Sequence, residues 1–377
     1  MFYILILIGF FISVFLSALI IPRILVVAFR KRLFDVPDER KIHEGAIPRL
    51  GGISFVPTVF FSLALVVGLR YMGGYVFPSE VVGFLVPEFC FLVCGLTLLY
   101  LAGIKDDLIG LRYRTKFFIQ ILAASFFPLS GLWINHLNGL FGIQELSPWI
   151  GIPFTILIVV FITNAINLID GIDGLASGLS SVALVLLGCL FLYNHVWLYA
   201  SLAFSTLGVL LPFFYYNVFG QVERGKKIFM GDTGSQTLGY ILSFLSIRYS
   251  SYNPDIMPYY DGAIVIAFST LIVPVFDVFR VMLVRARTRR HLFTPDRNHI
   301  HHKFLAMGFR PREAMIYILL IACLFSCLNI LLIPYVNNTM MLLLDIGVWT
   351  GINIWFDWVR DKKEQSLEVD RKKWWNF

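Results

Sequence analysis

Eleven stretches of this sequence are apolar and long enough to cross a bilayer, and nothing else in the chain constrains its fold as tightly. A helix rises about 1.5 Å per residue, so about 20 apolar residues cross the hydrocarbon core. The runs fall at roughly 2–29, 52–69, 84–103, 116–133, 149–169, 174–193, 197–217, 234–248, 261–284, 314–335 and 339–358, the run at 234–248 being the shortest. In lipid each backbone N–H needs a partner within its own segment, which selects helices. The expected fold is all-α: a polytopic integral membrane protein of about eleven spans. One membrane domain is expected over 1–359, followed by a basic tail at 360–377.

Charge orients this bundle. No basic residue precedes the first run, and Arg30, Lys31 and Arg32 follow it, which reads as a span rather than a cleaved signal peptide. That order expects the N-terminus outside and the first loop in the cytoplasm. The loops then expected inside carry 27 of the 31 lysines and arginines, while the outer loops hold only Arg70 and Arg248. An odd number of spans expects the tail inside, against anionic headgroups. The net charge of +7 is therefore a product of topology, and no nucleic-acid partner is implied. The five cysteines, Cys90, Cys94, Cys189, Cys323 and Cys327, all fall in apolar runs and read as small packed thiols.

Ionisable groups at membrane depth are costly and usually face a polar cavity. Four polar clusters interrupt the apolar text, all on the side expected to be cytoplasmic. AGIKDDLIGLRYRTKF places Asp106 and Asp107 at the end of the third run, with Lys116 nine residues on. Adjacent carboxylates raise each other's pKa unless a cation relieves them. NAINLIDGIDGLASG sets Asn164, Asn167, Asp170 and Asp173 three residues apart. Three helical residues turn about 300°, so the first three share a broad face. Gly171 and Gly174 are expected to end the helix and turn Asp173 back toward it. A polar helix cap explains one Asn and one Asp of this set, but not all four.

KKIFMGDTGSQTLG opens the eighth run with Asp232 and Ser235 between glycines, a helix start that favours anions. The stretch 285–304 combines arginines, Arg297 among them, with His299, His301 and His302. Its histidine spacing is poor for a tetrahedral zinc site and suits phosphate binding better. Together the clusters offer carboxylates and amides for a hard cation, and Arg, Lys and His for phosphate oxygens. That is the pattern expected of magnesium bridging to a substrate's phosphates, and of phosphoryl transfer at a membrane surface.

With these motifs in place, the chain resembles the polyprenyl-phosphate N-acetylhexosamine-1-phosphate transferases, over about residues 35–312. PDERKIHEGAIPRLGG at 37–52 and HIHHKFLAMGF at 299–309 look most like the WecA and TagO branch, which transfers N-acetylglucosamine-1-phosphate. The resemblance implies a UDP-N-acetyl sugar donor, an undecaprenyl phosphate acceptor and release of UMP at the bacterial cytoplasmic membrane. It implies magnesium, with manganese as the substitute ion, held by Asp232 and Asn167. It implies that Asp106 and Asp107 are the paired catalytic aspartates and that Lys116 contacts the pyrophosphate. Asp170 and Asp173 match the NxxDGxDG acids. His299, His301 and His302, with Arg297 and Asn164, fall on the substrate side. A homodimer is implied by resemblance alone.

The same reaction with another UDP-N-acetyl sugar, or with UDP-MurNAc-pentapeptide, is the alternative; the three-histidine run followed by Phe-Glu that is usual in that last branch is absent. A nucleotide-sugar transporter is the rival from another class, but it would place polar groups near the midplane of repeated halves. Asp277 and Asp345 lie deeper in the apolar runs; Asp277 either lines the site or pairs with Arg280 at i+3, the pairing being the reading preferred.

Overall fold

The computed structural model describes residues 2–34, 47–76, 79–289 and 298–374, with side chains for all of these but 79–80 and 364–374. It is an all-α polytopic bundle. The helices are α1 Phe2–Lys31, α2 Phe55–Met72, α3 Ser79–Ile109, α4 Tyr113–Leu129, α5 Pro148–Ile169, α6 Leu175–Tyr193, α7 Trp197–Phe214, α8 Gly231–Ser250, α9 Ala263–Ser269, α10 Ile272–Arg287, α11 Ile300–Ala306, α12 Pro311–Leu332 and α13 Asn338–Trp374. Among the described residues, eight helices are long and apolar enough to cross a membrane, and a bent pair makes a ninth.

All eleven apolar runs fall on helices, but not all as simple spans. α4 has only 17 residues. The run at 261–284 is broken: α9 and α10 meet at an 80° bend. Pro274, which has no N–H to donate, stands in the first turn of α10. Ser269 and Thr270 close α9 by donating their hydroxyls to the carbonyls of Ile266 and Ala267, at 2.8 Å each.

α8 explains why its run is the shortest. Every residue from Thr233 to Ser250 is buried, because the helix is packed by α3, α5, α6 and α9 rather than by lipid. Such a helix can carry Ser and Thr, whose hydroxyls bond back to its own carbonyls, as Thr237 does to Thr233 and Ser243 to Gly239, and Gln236, whose amide meets Gln120. α1 is the contrast. It shows Leu7, Phe11 and Phe15 outward and turns Gly9, Ser13 and Ser17 inward against its neighbours. Small residues allow that close helix packing in a membrane.

Two local features depart from the sequence reading. A hairpin of β1 His136–Leu140 and β2 Ile143–Glu145 lies between α4 and α5. Its two turn residues, Phe141 and Gly142, have φ of 54° and 77°, as a tight hairpin turn requires. The cysteines are not packed inside: Cys90, Cys94, Cys189 and Cys327 lie exposed on the bundle's outer surface, where an apolar thiol suits a lipid face. α13 runs on as one helix past residue 360 to Trp374.

Candidate active site

The start of α8 is the centre of the polar end of the bundle. Phe229 donates its N–H to the Pro48 carbonyl at 2.9 Å, and Gly51 and Gly52 donate back to Phe229 and Met230 at 3.0 and 2.9 Å. This short pairing seats the 48–52 segment beside GDTGS. Gly234 packs on Gly52, where a Cβ at position 52 would come within 2.0 Å of the Gly234 nitrogen.

Asp107, at the end of α3, caps α8 from outside. Its carboxylate accepts the N–H of Asp232 at 2.7 Å, the N–H of Thr233 at 3.0 Å and the Thr233 hydroxyl at 2.5 Å. A carboxylate at a helix N-terminus satisfies free N–H groups and meets the positive end of the dipole. Both oxygens of Asp107 are therefore occupied by α8.

Asp106 faces the other way. Its Oδ1 accepts the Leu111 N–H at 2.5 Å, and its Oδ2 pairs with Lys116 from the first turn of α4. The same Lys116 ammonium pairs with Asp232 Oδ2. Asn167 of α5 completes the group, donating to Asp232 Oδ1 at 2.5 Å and to Ser235 Oγ at 2.8 Å. Asp106, Lys116, Asn167 and Asp232 thus converge from four helices, with Asp232 still about a quarter exposed.

The α5–α6 turn stands beside them. Gly174 holds φ of 78° and donates its N–H to the buried Asn217 side chain at 2.7 Å. Asn217 in turn donates to the Ile228 carbonyl at 2.9 Å, fixing the turn to the strand of chain that enters α8. Asp173 pairs with Lys227 at 2.5 Å. Asp170, just beyond α5, is pushed up to about 7, first by burial and then by the charges of Asp173 and Asp232, with Arg49 opposing. Gly171 does not take a positive φ but lies under the His301 ring. Close approach, rather than a turn, excludes a side chain there.

The histidines enter on α11. His299 Nδ1 lies 2.8 Å from Asp277 Oδ2, and its ring stacks parallel to His301 at 5.9 Å. His302 is 4.2 Å from His301, centroid to centroid. His301 is buried, and burial, with His302 beside it, pushes it down to about 3, so its imidazole is neutral. Arg297 lies outside the described residues. Asn164 sits one turn deeper than Asn167 and donates to Gln120 at 2.7 Å and to the Val160 carbonyl at 2.8 Å.

Sequence reading passed over four residues that shape this end. Lys227 and Arg49 stand in quoted motifs without a role, and Asn217 was unremarked. Gln120 accepts from Asn164 and reaches Gln236 at 3.4 Å. Gln120, Asn164 and Gln236 form an amide layer one turn below Lys116, Asn167 and Asp232, helix for helix. A lone Gln in an apolar run carries no spacing signal, although its four-residue step from Lys116 does place it on the same face.

The oxygens gathered here suit a hard divalent ion. Asp232 and Asp106 supply carboxylates and Asn167 an amide, which matches few protein ligands with the rest left to water and phosphate.

The comparisons with known proteins cover the same helices. A protein of Bacillus subtilis (strain 168), named "Probable undecaprenyl-phosphate N-acetylglucosaminyl 1-phosphate transferase", is 32% identical over 328 residues, which is 87% of this chain and 85% of that protein. Undecaprenyl-phosphate alpha-N-acetylglucosaminyl 1-phosphate transferases of Yersinia pestis and Escherichia coli (strain K12) are each 30% identical over 309 residues, 81% of this chain and 78% of theirs. Residues 89–250 match the model of glycosyl transferase family 4. The chain belongs to glycosyl transferase family 4. The matched stretch of this family 4 enzyme runs from α3 to the end of α8. It therefore contains Asp106, Asp107, Lys116, Asn164, Asn167, Asp170, Asp173 and Asp232, while the histidines of α11 lie beyond it.

Proposed function

We propose that this enzyme transfers N-acetylglucosamine-1-phosphate from UDP-N-acetylglucosamine to undecaprenyl phosphate and releases UMP; the names of its relatives give the N-acetylglucosaminyl 1-phosphate group and undecaprenyl phosphate. The observation that carries the reading is the convergence of Asp106, Lys116, Asn167 and Asp232 at one end of the bundle. The charge distribution supports an N-terminus outside; with eleven spans, this end would then face the cytoplasm from the bacterial cytoplasmic membrane.

In this reading an oxygen of the lipid phosphate attacks the sugar-linked phosphorus. The bond from that phosphorus to the bridging oxygen breaks, and UMP takes the electron pair. A phosphate monoester has its second pKa near 6, so the nucleophile is mostly ionised at neutral pH and needs no strong base. Asp106 orients the acceptor and takes its remaining proton: its Oδ2 meets the side-chain ammonium of Lys116, whereas both oxygens of Asp107 are held by the backbone and Thr233 hydroxyl at the start of α8. Lys116 lends its ammonium to the pyrophosphate. Asp232 and Asn167, with Asp106 near, would hold magnesium, which supplies charge neutralisation of the pyrophosphate. Asp173 and Lys227 border the donor side, and His299 and His302 face its phosphates.

Purified protein given UDP-N-acetylglucosamine, magnesium and undecaprenyl phosphate should release UMP and form the lipid-linked sugar. Uptake of UDP-sugar into sealed vesicles without UMP release would overturn the reading.

A further inference from the structure

Asp277 lies in α10, fully buried, and the reaction just described makes no use of it. Its carboxylate has three contacts. Oδ1 accepts the Ile300 N–H at 3.0 Å and Arg280 Nη2 at 2.9 Å; Oδ2 meets His299 Nδ1 at 2.8 Å. Arg280 also donates to the carbonyl of Asn298, the residue before His299. The acid thus grips both the start of α11 and the first histidine on it.

The chemistry of these contacts fixes a proton. A carboxylate with a guanidinium against it is ionised and only accepts. A ring nitrogen 2.8 Å from it must therefore carry hydrogen. With Nδ1–H committed to Asp277, the free nitrogen of His299 is Nε2, which has no partner among the described residues. A ring so held is limited in rotation as well, because it stacks at 4° on His301, and His301 lies against Gly171 of the α5–α6 turn.

We propose that Asp277 is a positioning residue: by holding Nδ1–H it fixes the orientation of His299 and leaves Nε2 facing the donor's phosphates, where the Asp277 carboxylate on one side and the phosphate charge on the other favour a second proton on Nε2, so that it donates. This rests on the function proposed above only for the identity of the ligand. The sequence left Asp277 between pairing with Arg280 and lining the site; the pairing is there, and it leaves the second oxygen for His299.

Asp277→Asn separates this role from simple packing. The Ile300 N–H and Arg280 both need an acceptor at the Oδ1 position, so the amide oxygen stays there. The NH2 group then faces His299 Nδ1, which must give up its proton and accept. The ring then keeps a single proton, on Nε2, and can no longer become the imidazolium, with little change in volume.

The test is nitrogen NMR of the full-length protein in detergent, with labelled histidine and His299 assigned by its loss in His299→Gln. In the wild type Nδ1 should be protonated at every pH where the protein is folded; in Asp277→Asn it should not be. The rate with UDP-N-acetylglucosamine should fall about 10- to 100-fold while the KM for undecaprenyl phosphate holds. The double variant with His299→Gln should be no slower than His299→Gln alone. An unprotonated wild-type Nδ1 overturns the proposal even if no variant folds, and so does an Asp277→Asn enzyme of wild-type rate. Failure of the wild type to release UMP would instead count against the proposed function, since the tautomer is read without turnover.

Discussion

Gly171 lies against the imidazole of His301, so closely that a Cβ at position 171 would come within 2.1 Å of His301 Nε2. The contact joins two motifs 130 residues apart in the chain and defines the wall between the acids and the histidines. Gly171→Ala should push the His301 ring aside and slow turnover on the order of 10²-fold, the cost of a misplacement of about 1 Å. Kinetics of Gly171→Ala, His301→Ala and their combination would check this. The combination should equal His301→Ala alone; fully additive losses would deny the contact its role.

Asp107 and Asp232 should fail differently when removed. Asp107 caps α8 with three hydrogen bonds, so Asp107→Ala should lose activity and also stability, by roughly 1.5–3 kcal/mol. Asp232 sits among charges at the surface of the site and supports no backbone in this way. Asp232→Ala should abolish UMP release while unfolding near the wild-type temperature. Thermal unfolding alongside the activity assay distinguishes them, and equal loss of stability in both would reject the assignment of the cap to Asp107.

Asp170 sets a pH dependence of stability. Its folded pKa of about 7 lies above the ordinary carboxylate value of about 3.9. Between these values the folded state binds more protons than the unfolded, so stability falls as pH rises through that window. Asp170→Asn removes the penalty. In EDTA, its unfolding temperature should gain on the wild type from pH 5 to pH 8; a difference independent of pH would contradict the burial of this acid.

Much of this was legible because lipid leaves the backbone few choices. All eleven apolar runs became helices, and the described residues of the four polar clusters met at one end. The remainder was hidden where the deciding partner is distant in sequence. The cap of α8 comes from Asp107, 125 residues before Asp232, so no local capping pattern reveals it. Gly171 resembled a turn glycine, since nothing in DGIDG announces a histidine above it. The hairpin went unseen because its turn is Phe141–Gly142, without the Asn-Gly or Asp-Gly pair that marks such turns. The bend between α9 and α10 was signalled by Pro274, but a proline in an apolar run is common enough in spans to pass as a kink.

The amide layer predicts a role for a residue with no substrate contact. Gln120 receives Asn164 and reaches Gln236 one turn below Lys116, Asn167 and Asp232. Gln120→Leu keeps the volume and removes those bonds, so the three helices lose their shared register. The rate should fall roughly 10-fold, with more magnesium needed for half-activation, while the KM for undecaprenyl phosphate is unchanged. An unaltered magnesium titration would show that the layer only fills space.

The far end of α8 should report on stability alone. Glu88 and Arg248 pair there at 3.1 Å with both side chains about 3% exposed. The Tyr199 hydroxyl donates to the second Glu88 oxygen at 2.5 Å, and Arg248 donates to the Ser251 carbonyl at 2.9 Å. Arg248 stands 16 residues along the helix from Asp232, about 24 Å at the helical rise. Glu88→Ala leaves a buried guanidinium without its counter-charge, which should cost about 3–5 kcal/mol. Replacing both partners with methionine should restore most of that, because neither charge is then stranded. In each variant the folded enzyme should keep the wild-type rate and KM values, since no polar contact of the pair reaches the α8 start. Thermal unfolding and UMP release on the same preparations decide it. A slower enzyme with an unchanged unfolding temperature would mean that the two ends of α8 are coupled.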